Sequence, residues 1–492
     1  MVSYGIDFGT TNSIVAAFDG RKTTSFLDNK KLPHPSIIWY QGDKKPIVGR
    51  QAKDQIKALG NSPGNYFIKS IKSQIEQEEA FEIFGKPRKP WQIASEIFSF
   101  LKGDIATRYK GFPEVKEAVI TVPLYFNGKQ RRAIRKAAEE AGIGVKTFIH
   151  EPFAAVIGYI LSEPTQYQSL KEKRENVLVF DWGGGTLDIT LVQLDSGHLY
   201  EISSSSAVGR SGDYFDEVLM SDILEEFKRE KNISSVGFKL EDGVENLLLH
   251  DVEFAKIELS DNQKTSIELS DFYKQNNKIY NLIQDITRNR FESLIDQHIE
   301  DARKLIDQVL KEARLKPSQI NQVLLTGGTS CIPLFKEKIY EMFGFTKVVE
   351  LSNANTIIAE GAAIISHHNW QPYLVRPICI ELCDESQYTI FDKGTILNPD
   401  TAKKRVSLFC NDNTDGEGRL IITENLENNR KKVKEIVNIP VAKNLKKIYE
   451  ERIFAEFGIN QDVILRISAN GIFENKPVYT EIHDLCYGLR FA

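Results

Sequence analysis

Two short stretches carry the residues best suited to chemistry. Ile6-Asp7-Phe8-Gly9-Thr10-Thr11-Asn12-Ser13 and Phe180-Asp181-Trp182-Gly183-Gly184-Gly185-Thr186-Leu187-Asp188 both read as strand, aspartate, glycine turn, threonine, next strand. In each, glycines let backbone N–H groups face an anion with no Cβ in the way. The threonine hydroxyls add donors, and an aspartate at a strand end can hold a hydrated Mg2+ through water. One such loop by itself is more often a tight structural turn. Two of them, with Gly9 and Gly183 standing 174 residues apart, point to paired lobes gripping one polyphosphate from both sides. A third glycine turn, Leu324-Leu325-Thr326-Gly327-Gly328-Thr329-Ser330, suits close approach of backbone to a nucleoside. Asp7-Phe8-Gly9 also spells a protein-kinase triplet, but neither a glycine-rich loop nor a catalytic loop precedes it, so that reading fails.

The elements that must position these loops alternate up to about residue 368. Tyr4–Phe8, Glu117–Val122, Val177–Phe180 and Gln322–Leu325 are short, β-branched and closed by Gly, Pro or Asp, which predicts strands. Lys129–Ala141 and Asn289–Ala313 predict helices, the second from apolar residues recurring at helical spacing. The segment 369–380 holds Pro372 and Pro377 and reads as a connector between domains. Beyond it, Val406–Phe409, Arg419–Thr423, Val433–Ile439 and Val463–Ser468 alternate as strands. Turn signals at Asp412–Gly418, Asn428-Asn429 and Asn470-Gly471 separate them, and together they predict a β-sandwich over 381–492. Lys443–Phe457 is the one helix-like interruption.

Composition narrows the class. A chain of 492 residues exceeds one ordinary core, and a formal net charge of −5 lacks the basic footprint of a nucleic-acid binder. The N-terminus has no basic and apolar signal-peptide pattern, and no run reaches the roughly 18 apolar residues that span a membrane. Five cysteines, Cys331, Cys379, Cys383, Cys410 and Cys486, are thinly spread, which suits a reducing cytosol and a cytoplasmic location. Cys379 and Cys383 lack a second Cys/His pair at metal-site spacing and read as buried strand residues.

Over nearly the whole chain these segments resemble the seventy-kilodalton heat-shock chaperone family of the DnaK type. GIDFGTTNS and FDWGGGTLD resemble its two phosphate loops, and VLLTGGTSCIP its third nucleotide loop. Ala118–Ile134, His150-Glu151-Pro152 and Val252–Ser260 resemble its connecting segment, its Asn-Glu-Pro and its adenosine-binding helix. The resemblance implies an α/β actin-like fold, two-lobed and ribonuclease-H-like in its duplication, over 1–368. An all-β sandwich that takes unfolded or extended polypeptide would follow at 381–492.

It also implies an ATPase using ATP/ADP, Mg2+ and K+, with roles carried residue by residue. Lys69 in Phe67-Ile68-Lys69 would reach the γ-phosphate, with Glu151, Asp181 and Thr186 as its catalytic companions. Asp7, Asp181 and Asp188 would organise the metal through water. Gly9, Thr10, Thr11, Asn12, Gly183, Gly184, Gly185 and Gly212 would cradle phosphate; Glu253, Lys256, Ser260, Gly327, Gly328 and Thr329 would hold the nucleoside. Pro123 and Arg131 would relay nucleotide state to the sandwich, which docks with ATP and is released after hydrolysis. A J-domain cochaperone and a nucleotide-exchange factor are the implied partners.

This sequence departs from the family pattern at several places. Cys331 replaces an adenine-stacking arginine, Asn355 an aspartate near the base, and Thr147 and His150 residues of the J-domain docking region. The stretch between Lys69 and Pro123 is short, and no long helical run follows the sandwich, so the family's C-terminal helical lid is expected to be missing. Loss of the stacking cation forfeits roughly 0.5–2 kcal/mol of nucleotide binding. The alternative to a chaperone is an ATP-binding adaptor that hydrolyses little or nothing; a small-molecule kinase would have no use for the sandwich.

Overall fold

The computed structural model describes residues 2–42, 44–59, 64–162, 174–276, 278–397, 403–411, 414–425, 431–443 and 450–491. Lobe I is built on β1 (Ser3–Phe8), β2 (Asn12–Phe18), β3 (Thr23–Phe26), β4 (Glu117–Val122) and β5 (Gly144–His150), in the sheet order β5-β4-β1-β2-β3. The strands β1, β2 and β3 are antiparallel neighbours, while β4 and β5 run parallel to β1. Lobe II repeats the plan with β6 (Arg174–Trp182), β7 (Thr186–Asp195), β8 (His198–Val208), β9 (Gln322–Thr326) and β10 (Val348–Val349), ordered β10-β9-β6-β7-β8. Here too the hairpin strands are antiparallel and the two later strands parallel. The duplication inferred from two glycine loops is therefore a duplication of whole sheets. Each loop is the tight turn between the first two strands of its lobe.

The central strands need no alternation, because both faces of each sheet are covered. Val177, Leu178, Val179 and Phe180 are consecutive and all buried. Between the lobes, the helices Glu151–Ser162 and Ile357–His368 cross backbone to backbone. A Cβ at Gly361 would stand 1.8 Å from the Ala154 carbonyl oxygen, and one at Gly158 would stand 2.6 Å from that of Ile357. Only glycine permits that approach. The helix Gly128–Glu140 opens with a capping box: Asn127 Oδ1 accepts from the N–H groups of Lys129 and Gln130, and Gln130 Oε1 accepts from the Asn127 N–H.

The β-rich part holds β11 (Gln371–Leu374), β12 (Ile378–Glu381), β13 (Gln387–Phe391), β14 (Lys404–Phe409), β15 (Glu417–Asn425), β16 (Lys431–Pro440), β17 (Arg452–Ile459), β18 (Leu465–Gly471), β19 (Val478–Ile482) and β20 (Tyr487–Arg490). Two four-stranded sheets, β13-β12-β15-β16 and β14-β17-β18-β19, share a core that includes Ile380, Ile422, Phe457 and Leu465. Three expectations need correction here. The helix-like reading of Lys443–Phe457 fails where it is described: residues 452–457 lie in β17, where Ile453, Ala455 and Phe457 are buried between exposed Arg452 and Phe454, a period of two. Residues 444–449 lie outside the described residues, as do the predicted Asn428-Asn429 turn and residues 412 and 413 of Asp412–Gly418.

Asn470-Gly471 is not a turn centre but the end of β18, with Gly471 opposite Ile453. Glycine is needed there because a Cβ would stand 2.8 Å from the Pro440 carbonyl oxygen. Finally, residues 371–374 of the expected connector form β11, which pairs with β20; β20 in turn pairs with β8. The lobe II sheet thus runs β10-β9-β6-β7-β8-β20-β11. Of Cys379 and Cys383, both free thiols, Cys379 is the expected buried strand residue in β12, whereas Cys383 is exposed in the turn after it, against the buried reading.

Candidate functional site

The glycine loops of the two lobes meet in one cleft. A Cβ on Gly184 would stand 2.4 Å from Thr11 Oγ1 and 2.5 Å from Asp213 Oδ1, and one on Gly185 3.5 Å from Thr10 Cγ2. Gly9 is needed for the turn itself, since its Cβ would collide with the Asn12 carbonyl oxygen at 2.0 Å. Asn12 itself is exposed at the start of β2. The third loop leans on the second: Thr329 Oγ1 donates to the Gly183 carbonyl at 2.8 Å, and Gly327 (φ 79°) lies where a Cβ would be 2.4 Å from the Trp182 oxygen. Gly212 closes the ring, with Thr329 Oγ1 and Lys256 Nζ 2.7 and 3.3 Å from its would-be Cβ. The Thr11 hydroxyl is buried here without a hydrogen-bond partner, a donor aimed into a cradle that phosphate oxygens would fill.

Below the loops lie the charges. Lys72 Nζ donates to Glu151 Oε1 at 2.8 Å, and both side chains are buried. Although burial acts against its charge, Glu151 and Asp7 raise the Lys72 ammonium above its ordinary value, with Asp181 adding to the pull. Removal from water and repulsion by Glu151 push Asp7 and Asp188 up to about 7. The same two causes, with Asp7 and Asp188 contributing, lift Asp181 well above the carboxylate range. Thr121 donates to Asp7 at 3.3 Å, and Thr186 hydrogen-bonds Asp188. Tyr125, at the edge, has its phenol pushed up by burial and by Asp188, Glu151 and Asp181.

Lys72, the buried ammonium of this cluster, is a residue that the sequence reading did not single out. Lys69, to which the resemblance gave the γ-phosphate, is exposed at the mouth of the cleft, facing Asp213, Lys53 and Glu253. Ser70 takes a left-handed conformation (φ 56°) after the strand Tyr66–Ile68, and a 3-10 turn over Ile71–Gln74 then carries Lys72 inward. The chain reads Phe-Ile-Lys then Ser-Ile-Lys, so both lysines offered the same signal three residues apart.

Among the described residues, no three His, Cys, Asp or Glu side chains converge closely enough to hold a metal ion directly. The half-buried Asp7, Asp181 and Asp188 do fit an ion that keeps its water shell, because each is starved of positive charge. On the nucleoside side, Lys256 Nζ binds Asp216 and the Gly212 carbonyl, both at 2.8 Å. Ser260 is the penultimate residue of the helix Asp242–Asp261 that carries Lys256, its carbonyl accepting from Arg288 at 3.1 Å. Gly328 faces Asn355, whose Oδ1 would be 3.9 Å from an added Cβ. Lys53 and Glu253 pair at 2.6 Å across the lobes, over a cavity of about 230 Å3 that Thr10, Thr11 and Lys69 also line.

Arg131 lies at a different junction. Its guanidinium donates to the carbonyls of Phe126 (2.5 Å), Asp462 (2.7 Å), His483 (3.1 Å) and Val463 (3.2 Å), joining lobe I to the sandwich. Pro123 is buried at the turn that precedes it, with its carbonyl accepting from the Phe126 N–H. One helical turn on, Arg135 pairs with Asp462 at 2.6 Å and donates to the Val145 and Gln461 carbonyls.

Two sheets of one topology, each offering a glycine hairpin to a shared cleft, define an actin-like two-lobed protein. Residues 3–381 match the family model described as Hsp70 protein. The chain is 35% identical over 362 residues to the chaperone protein DnaK of Thermosipho melanesiensis, covering 73% of this chain and 58% of that relative. The DnaK of Thermosipho africanus is 35% identical over 364 residues (73% and 58%), and that of Mycoplasma mobile 34% over 362 residues (73% and 57%). The chain belongs to the Hsp70 family. It spans a little under three fifths of the length of these relatives. Among the described residues, no helix is long and apolar enough to cross a membrane.

Proposed function

We propose that this chain binds ATP with Mg2+ between its lobes, hydrolyses it to ADP and phosphate, and uses the sandwich to hold extended polypeptide segments. The observation that carries the reading is the buried Lys72–Glu151 pair, which acts electrostatically on Asp7 and Asp181, the aspartates that precede the two glycine loops. Phosphoryl transfer to water asks a protein mainly for alignment and for charge neutralisation. The backbone of Gly183–Gly185 and the Thr10 and Thr11 hydroxyls would hold the phosphate oxygens, and Lys72 would bring its ammonium to the γ-phosphate. A carboxylate lifted toward neutrality, as Asp7, Asp181 and Asp188 are, suits receiving the proton of an attacking water. Bound through water to these aspartates, Mg2+ would offset the charge of the β- and γ-phosphates.

Lys256 and Glu253 support a nucleoside between Gly212 and the third loop. Cys331 supports a looser grip, because a thiol cannot supply cation stacking. Arg131 is the route by which the turn at Pro123 would reach the sandwich. A J-domain partner would not touch His150, whose ring is buried against Phe153 and Tyr487.

Single-turnover hydrolysis with Lys72→Ala and Lys69→Ala beside the wild type tests the assignment. We expect Lys72→Ala to slow turnover by about 100-fold or more, the scale for losing one charge-stabilising group, and Lys69→Ala to stay within about threefold. If the wild type is as inert as Lys72→Ala while still binding ATP, the protein is the adaptor, a reading that Cys331 favours.

A further inference from the structure

The sandwich is joined to lobe II twice. β11 leads into it and β20 leads back out, and the two lie antiparallel with Gln371 opposite Arg490, Tyr373 opposite Gly488 and Leu374 opposite Tyr487. β20 continues onto the lobe through Leu199 opposite Leu489, and the Phe491 N–H donates to the Gly197 carbonyl at 2.8 Å. The other edge of β11 is filled by the sandwich. The Leu374 N–H donates to the Thr395 carbonyl at 2.9 Å, and the Leu397 N–H to that of Pro372 at 2.8 Å. The segment that must be free for the domains to part is thus a strand bonded on both sides.

Side chains fasten it further. Leu489 and Phe491 are buried in the lobe core with Leu199 and Ile358. The Tyr487 ring lies 4.1 Å from the His150 ring, with the Arg131 guanidinium 5.8 Å from its centre. Gly488 leaves no room for anything larger: a Cβ would stand 2.5 Å from the Leu199 oxygen and 2.9 Å from the Tyr373 ring.

We infer that β20 is a clasp that keeps the sandwich docked on the two lobes throughout the nucleotide cycle. Parting the domains would strip the backbone bonds from two strands and bring Leu489, Phe491 and Tyr487 into water, both of them costly. Nucleotide state then reaches the sandwich by small shifts across the Arg131 seam, and not by the release that the family resemblance implies. The clasp stands on strand pairing alone; only its bearing on nucleotide signalling rests on the proposed ATP binding.

Amide hydrogen exchange at Leu374, Leu397 and Phe491 of the full chain tests it, with Mg·ADP and with Mg plus a non-hydrolysable ATP analogue. Occupancy is checked by calorimetry on the same samples. The wild-type amides should exchange within about threefold of each other in the two states, since the same bonds persist. Gly488→Val should speed Leu374 exchange at least tenfold in both and enlarge the particle in solution scattering, and Leu489→Ala should do so to a lesser degree. A tenfold or greater loss of wild-type protection in ADP overturns the clasp. So does a folded Gly488→Val, or a Leu489→Ala should the first variant not fold, that stays as protected as the wild type. If no nucleotide binds, the proposed function fails, while the variants still decide the clasp.

Discussion

Two clusters of buried charge, one on the cleft floor and one at the sandwich seam, are built on opposite principles. On the floor, Asp7, Glu151, Asp181 and Asp188 repel one another, and among the described residues Lys72 is the ammonium that enters all their fields. At the seam, the guanidiniums of Arg131 and Arg135 are more deeply buried than the three half-buried aspartates, yet they are met by carbonyl oxygens and by the Asp462 carboxylate. Both guanidiniums are satisfied as they stand, although the Tyr487 hydroxyl, both His150 ring nitrogens and His483 Nδ1 beside them are buried without a hydrogen-bond partner. The floor is short of positive charge and holds an orphaned Thr11 hydroxyl at its roof. A buried charge met by its partners makes a fixed joint; a cluster of buried like charges marks a place where something arrives.

The largest expected effect tests the joint. Arg135→Ala leaves Asp462 buried without its partner, and losing one member of such a pair costs about 3–5 kcal/mol. Urea unfolding should show that loss, and a variant as stable as the wild type would erase the contrast. Next comes the Lys72→Ala turnover defect, which at 100-fold corresponds to about 2.7 kcal/mol of barrier.

A subtler test uses pH. The ordinary carboxylate value is 3.8, and Asp7 and Asp188 stand at about 7 in the folded chain. The folded state therefore holds protons that the unfolded state releases between about pH 4 and 7. Ligand-free stability must fall as pH rises through that window, with the penalty complete above about 7 and absent below about 4. Asp181→Asn removes a repelling charge, so its thermal midpoint should drop less between pH 5 and 8 than that of the wild type. An equal or steeper drop would mean the floor is not strained by its own charge. Smallest of all, Arg405→Ala breaks an exposed pair with Glu456 on the sandwich surface and should leave the midpoint unchanged.

Much of the floor was legible because its chemistry is local. A strand, an aspartate, glycines and a threonine occupy consecutive positions, and folding needs only a tight turn to aim them. Lys72 was not legible for the converse reason. Seeing that it is buried while Lys69 is exposed requires knowing that Ser70 turns left-handed and that a 3-10 turn follows. The Arg452–Ile459 strand was hidden because half of the Lys443–Phe457 window, rich in Lys and Glu, carries good helix formers. Sheet pairing overrode that propensity. Asn470-Gly471 misled in the same way: its glycine answers to a neighbouring carbonyl, a demand no local pattern displays. The pairing of β20 was beyond reach, since its partners lie far back along the chain.

That distance sets the timetable of synthesis. Leu199 and Leu489 are neighbours in the sheet but 290 residues apart in the chain. At ribosomal speeds of about 5–20 residues per second, on the order of 15–60 s pass between making one and making the other. For that interval the His198–Leu199 end of β8 leaves its outer backbone donors and acceptors open to any strand that drifts by. A protein of a chaperone family is thus born with a strand end that itself needs guarding until β20 arrives.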